Sequence, residues 1–152
     1  MRVGLISCSK KKLDYAAPAQ DLYLGNLFKL SKQWIITRVD EWGILSAQHG
    51  LVMPDQVLEP YDLALSDLAK VHRERWAEMT KKQIARKWDP NSTIFMKLLG
   101  ANYSWALYGM PMVEDPVSYW TEQRRQRGMS GRKAIMGIGV IMKYLKEDTP
   151  YG

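Results

Sequence analysis

A chain of 152 residues, 46% hydrophobic and 25% charged, has the size of one domain that buries roughly 68–70% of its unfolded surface, a composition that matches a globular protein and argues against disorder. Its 22 Lys and Arg against 16 Asp and Glu leave a formal +6, a balance that favours a polyanionic partner. One cysteine excludes an internal disulfide or a zinc cluster of cysteines, and no stretch approaches the ~20 apolar residues of a membrane span, so the reading is a single cytoplasmic domain over residues 1–152 with no membrane partner.

Arg2-Val3-Gly4-Leu5-Ile6-Ser7 is a short apolar run that reads as a buried strand ending in Cys8-Ser9-Lys10-Lys11-Lys12. Residues 13–21, with Pro18 and small side chains, read as a loop. From Leu22 to Thr37 the positions of Leu24, Leu27, Phe28, Leu30 and Trp34 predict a helix covering the sheet. Trp42 to Ser46 is a second strand, parallel to the first in a β-α-β unit, and it breaks into Ala47-Gln48-His49-Gly50. Two prolines between Leu51 and Asp62 exclude a long helix or a central strand and leave a loop long enough to wall a site.

Ser66 is placed to cap a helix reaching Lys87 or Trp88, with Leu65, Leu68, Trp76 and Met79 buried and His72 on the same face. Lys70, Arg73, Glu74, Lys81 and Lys82 are then solvated. Asp89-Pro90-Asn91 ends that helix. Thr93 to Leu99 is a third strand, breaking into Gly100-Ala101-Asn102-Tyr103; a short helix near Tyr103–Tyr108 and a short strand at Met112-Val113 follow. Ser130 is placed to cap a final helix carrying Ile135, Ile138, Met142 and Leu145. Gly137 and Gly139 fall inside it at ~1 kcal/mol each relative to alanine, which close backbone approach would explain. The alternation predicts an α/β fold, a three-layer α/β/α sandwich with a mainly parallel sheet of four to five strands.

Parallel α/β sheets bind ligands beyond the carboxyl ends of their strands, so Cys8–Lys12 and Ser46–Gly50 are expected to lie side by side and share a site. Lysines among backbone amides at a strand end make a phosphate-sized anion site, the role expected of Ser9, Lys10 and Lys12. Ser46, Gln48 and His49, with Gly50 beside them, would contact a base or sugar. A carboxylate near a histidine can activate water or stabilise a cationic sugar transition state, which makes His49 with Glu59 or Asp62 the candidate acid and base. Tyr61 would stack. Cys8, followed by three lysines, is either a nucleophile or a packed strand-end thiol. Arg124, Arg125 and Arg127 beside Tyr119 and Trp120 either hold a nucleic-acid backbone or form an ordinary solvated helix face. No dinucleotide or Walker glycine loop and no Gly-x-Ser-x-Gly elbow occur, and the two histidines lack ligand spacing to carboxylates, so neither a cofactor nor a metal is expected.

Cys8-Ser9-Lys10-Lys11-Lys12-Leu13, Pro18-Ala19, Asp21-Leu22-Tyr23, Leu27-Phe28, Ile44 through Leu51 and Glu59-Pro60-Tyr61-Asp62 together resemble an uncharacterised domain family of bacteria and their phages. The likeness covers residues 3 to about 65, with an echo at Gly137-Ile138-Gly139. That family is distantly similar to the DNA-binding peroxide-stress protein family and to a domain of archaeosine synthase. The resemblance implies a uracil-DNA-glycosylase-like fold and adds Tyr23 to the substrate-binding set. Two departures stand out: Gln48 occupies a position where relatives often carry lysine, and the Gly-x-Asp-Pro-Tyr motif that activates water in uracil-DNA glycosylases is missing after the first strand. The expectation is a nucleotide- or nucleic-acid-directed protein, most concretely one acting at an N-glycosidic bond; the alternative is a non-catalytic DNA-binding or nucleotide-sequestering module.

Overall fold

Strand β1 (Arg2–Ser7) takes the centre of the sheet because residues 3–6 are apolar on both faces and have no solvent contact. Such a strand can exist only between neighbours and under helices on both sides. It pairs in parallel with β3 (Glu41–Ser46) on one flank, Ile6 opposite Ile44, and with β6 (Ile94–Leu98) on the other, Ile6 opposite Leu98. Beyond β6 lies the short parallel β7 (Val113–Glu114), and beyond β3 the antiparallel β4 (Gly50–Val52). A separate two-stranded ribbon pairs β2 (Ala17–Pro18) with β5 (Val57–Leu58). The computed structural model describes residues 1–131 and 137–147.

Helices α1 (Ala19–Leu22), α2 (Asn26–Ile35), α5 (Pro116–Gln126) and α6 (Ile138–Lys146) are associated with one face. There Leu22, Phe28, Trp34, Trp120 and Leu145 share a core with Ile6, Ile44 and Met96. The Trp34 and Trp120 rings meet edge to face at 5.6 Å, a pairing worth about 0.5–1.5 kcal/mol beyond area burial. On the other face α3 (Lys70–Lys87) and a 3-10 turn at Trp105–Leu107 pack Trp76, Ala77, Ile84 and Leu107 against Val3, Leu5, Leu45 and Phe95. A short α4 (Ala101–Ser104) leads from β6 into that turn. The expected α/β architecture, with a mainly parallel five-stranded sheet, is what the chain adopts.

Several local expectations are corrected. The segment after Gly50 begins with an edge strand, not a loop, because Gly50 at φ +75° turns the chain back on β3 and only afterwards does Pro54 end the pairing. Ser66 does not cap α3: Leu65–Asp67 form a separate 3-10 turn in which the Asp67 carboxylate accepts the Ala64 N–H, and α3 starts at Lys70. The buried stripe of α3 is accordingly Trp76, Ala77, Thr80 and Ile84, while Met79 and His72 face solvent. The final helix starts at Ile138 with Gly137 as its N-cap, so Ser130 is not its cap, and Ile135 lies outside the described residues. A Cβ added at Gly137 or Gly139 would meet nothing within 4 Å, so close backbone approach does not account for them.

At Gly50 the glycine is required. A Cβ there would lie 2.1 Å from Gln83 Oε1, and that amide accepts the Leu51 N–H at 2.8 Å and donates to the His49 carbonyl at 3.2 Å. Gly50→Ala is expected to destabilise the fold by about 1–2 kcal/mol for left-handed backbone, with a further ~0.5–1.5 kcal/mol for each Gln83 bond displaced. Urea denaturation measures it, and an unchanged midpoint would show that neither the turn nor Gln83 constrains this corner.

Candidate functional site

The two strand ends do meet. The Cys8 N–H donates to the Leu45 carbonyl at 3.0 Å, which locks the exit of β1 onto the end of β3. Ser46, fully buried, then organises everything on the β3 side. Its Oγ accepts the backbone N–H groups of Gln48 (3.3 Å) and His49 (3.1 Å) and lies 2.7 Å from the Tyr61 hydroxyl, which is 2.7 Å from the Tyr23 hydroxyl. Both Ser46 lone pairs are used by amides, so its proton goes to Tyr61, and the Tyr61 proton goes to Tyr23. The result is a directed chain of hydroxyls buried beneath the site.

Lys12 covers that chain. Its Nζ sits 4.2 Å from the centre of the Tyr61 ring and 5.8 Å from that of Tyr23, a cation–π arrangement, and it also donates to the Lys10 carbonyl. Burial pulls the Lys12 ammonium below its ordinary range, opposed by the nearby Cys8 and Asp62. His49 meets Tyr61 edge to face at 5.5 Å. Cys8, Lys12, Tyr23, Ser46, His49, Tyr61 and Asp62 are thus gathered into one neighbourhood.

Other expected residues stand apart or serve the backbone. Ser9 Oγ donates to the Lys11 carbonyl and accepts the Gly25 N–H, so it braces the strand-end loop. Lys10 and Gln48 are exposed at the rim. Glu59 is exposed next to β5. Gly50 acts through its backbone conformation. Arg124, Arg125 and Arg127 occupy the last turn of α5 and its C-cap, with Arg125 paired to Glu122 at 3.6 Å.

On the opposite side of Cys8, between the carboxyl ends of β1 and β6, opens a cavity of about 340 Å³. This is where the chain, having placed β3 on one flank of β1, crosses to the other flank, the switch point at which open α/β sheets bind ligands. Its walls are mostly apolar: Leu27 and Phe28 from α2, Leu98 and Leu99 from β6 and just beyond it, Val117 from α5, Ile138 and Ile141 from α6. Its polar atoms come from Ser7, Ser9 and Ser31 and from Cys8 and Tyr103, whose sulfur and hydroxyl lie 3.4 Å apart. Gly25 closes the wall as the N-cap of α2; a Cβ there would lie 2.8 Å from that of Ser9, and the helix has no side-chain cap. Tyr103, Gly25 and Val117 were not foreseen. The glycine after β6 was the available signal, since Gly100 donates its N–H to Ser7 Oγ across 93 positions of sequence.

Burial raises all three tyrosines: Tyr23 to about 12, and Tyr61 and Tyr103 above the ordinary phenol range. A phenol that holds its proton more tightly when folded contributes stability that is complete below the unfolded value near 10 and is lost as pH rises through the folded one. Stability is therefore expected to fall between pH 10 and about 12. Tyr61→Phe should cost about 0.5–1.5 kcal/mol at pH 7 through the lost hydrogen bonds, yet show a shallower fall across that window. Urea midpoints measured against pH test this, and identical falls in the two proteins would remove Tyr61 from the alkaline transition.

No solved structure matches this chain. A curated relative, the uncharacterized protein YfjM of Bacillus subtilis (strain 168), is 36% identical over 63 residues, covering 38% of this chain and 42% of the relative. The chain thus spans about two fifths of that protein's length. Residues 3–133 match the family of unknown function DUF6884, a reach that extends well past the strand-end motifs and includes both the Ser46 cluster and most of the cavity lining, so this chain belongs to the DUF6884 family.

Proposed function

We propose that the chain is a nucleotide- or nucleic-acid-directed protein that takes a nucleobase into the cavity between β1 and β6 and acts at its N-glycosidic bond. The cavity itself carries the reading. About 340 Å³ falls in the range of small-ligand sites, Phe28 and Tyr103 offer ring surface, and Tyr103, Ser7 and Ser31 offer hydroxyls to base edges. Next to it, the uncapped first turn of α2 and the exposed Lys10 provide donors for a phosphate. On this reading His49, with Asp62 or Glu59, supplies acid and base from the β3 side, and Lys12 moderates the charge between them. The same partner class is what the resemblance of the strand-end motifs to an uncharacterised domain family, itself distantly similar to the peroxide-stress family and the archaeosine synthase domain, would imply. A mainly parallel sheet with helices on both faces is compatible with the uracil-DNA-glycosylase-like fold which that likeness implies.

A second reading, binding without turnover, is favoured by one observation. Among the described residues lining the cavity there is no carboxylate and no imidazole; the titratable side chains are Cys8 and Tyr103. Incubation with nucleoside monophosphates and oligonucleotides, followed by chromatography for free base, separates the two. Released base supports the reaction at the glycosidic bond, saturable binding without product supports sequestration, and neither would overturn both. Lys10→Ala is expected to weaken mononucleotide binding about tenfold to hundredfold, the loss of one charge-assisted bond of roughly 1.5–3 kcal/mol. Calorimetric titration checks it; unchanged affinity would detach the phosphate from this strand end.

A further inference from the structure

The charge that makes this protein basic is concentrated on one element. Between Lys70 and Lys87, α3 carries seven Lys or Arg (Lys70, Arg73, Arg75, Lys81, Lys82, Arg86, Lys87) against Glu74 and Glu78, a net +5 of the chain's +6. Helix stability explains only part of the distribution: Arg86 and Lys87 in the last turn suit the dipole and Lys70 lies 3.9 Å from Glu74. The first turn holds no acidic residue although the dipole favours one, Lys70 and Arg73 stand near that positive end, and Lys82 and Arg86 form a like-charged pair one turn apart. Beside α3, and outside both cores, stand two large rings: Trp105 is 58% exposed and Tyr108 68% exposed. Their centroids are 5.4 Å apart at 50°, and Lys81 Nζ lies 5.8 Å from the Tyr108 ring centre. A groove of about 350 Å³ runs between the rings and α3, where Lys70, Arg73 and Lys81 outnumber Glu74 and Glu78.

We propose that α3 with Trp105 and Tyr108 is a binding surface for single-stranded nucleic acid, its backbone following the helix cations and successive bases stacking on the two rings. Exposed rings bind bases of any sequence through their faces, and a duplex, whose bases are stacked inside, offers none. The net +5 supplies the complementary field for phosphates. Tyr103, which lines the cavity, packs edge to face at 5.4 Å on Trp76 of the buried stripe of α3, and Trp105 is two residues further along the chain. This inference rests on the nucleic-acid side of the proposed function and not on occupancy of the cavity. Lys70, Arg73, Lys81 and Lys82, expected only to be solvated, take on this proposal the role expected of Arg124, Arg125 and Arg127.

Fluorescence anisotropy with labelled single-stranded DNA and RNA 12-mers, a matched duplex and poly-glutamate tests the surface, alongside calorimetry with a mononucleotide. The double variant Trp105→Ala, Tyr108→Ala is expected to bind single strands at least tenfold more weakly while its mononucleotide affinity stays unchanged. Lys81→Gln with Lys82→Gln should reduce the salt slope by about 1.4, whereas Arg125→Ala should leave affinity and slope as they were. Circular dichroism checks folding, and Tyr108→Ala alone carries the test where the double variant does not fold. Single-strand affinity unchanged in the ring variants, or poly-glutamate or duplex bound as well as single strands, would overturn the proposal. Loss of single-strand binding with mononucleotide binding absent throughout would instead overturn the cavity reading and leave the surface standing.

Discussion

One buried hydroxyl holds the site together. Ser46 Oγ satisfies two backbone amides of the turn that follows β3 and passes its proton to Tyr61, while the Ser46 carbonyl accepts Trp76 Nε1 at 2.9 Å. A strand end, a turn, a long loop and a helix from the opposite face converge on that single residue. Had the position been alanine, two backbone amides and the Tyr61 hydroxyl would lose a partner, each at a cost of about 1–3 kcal/mol. The loop from Met53 to Asp62 is held in its middle by the pairing of β5 with β2 and at its end by Tyr61, which completes this chain of donors.

The arrangement divides the carboxyl edge into two halves with different chemistry. On the β3 side lie protonated phenols, a half-buried ammonium and an imidazole; on the β6 side lies a largely apolar hollow. Cys8 belongs to both, packing against each core, facing Tyr103 in the hollow and acting electrostatically on Lys12. A ligand with an apolar, planar part and a charged part would find each half suited to one of its ends.

How much of this was legible in the sequence depended on range. The runs that became β1, β3 and β6 announced themselves because a strand buried on both faces has to be apolar throughout, and the ends Cys8–Lys12 and Ser46–Gly50 could be paired by the handedness and brevity of β-α-β connections. Tyr103 was harder to find: its partner Cys8 is 95 residues distant, and the only local sign is its place just after the glycine that follows β6, whereas Tyr108 is mostly in solvent. The α3 stripe was misjudged because Leu65 and Leu68 seemed to extend its period, whereas the 3-10 turn ends before Leu68 and α3 begins after it. Net charge over the whole chain does not say where the charge lies: Arg124, Arg125 and Arg127 follow Tyr119 and Trp120 conspicuously, while the excess sits on the helix before β6.

The sheet also ends itself. Its outer members are three and two residues long, and prolines stand close by at 54 on one side and at 111 and 116 on the other. So short a border, flanked by residues with no amide hydrogen, offers little for another chain to zip onto. Copies of this protein at high concentration should therefore resist edge-to-edge fibre growth through the five-stranded sheet.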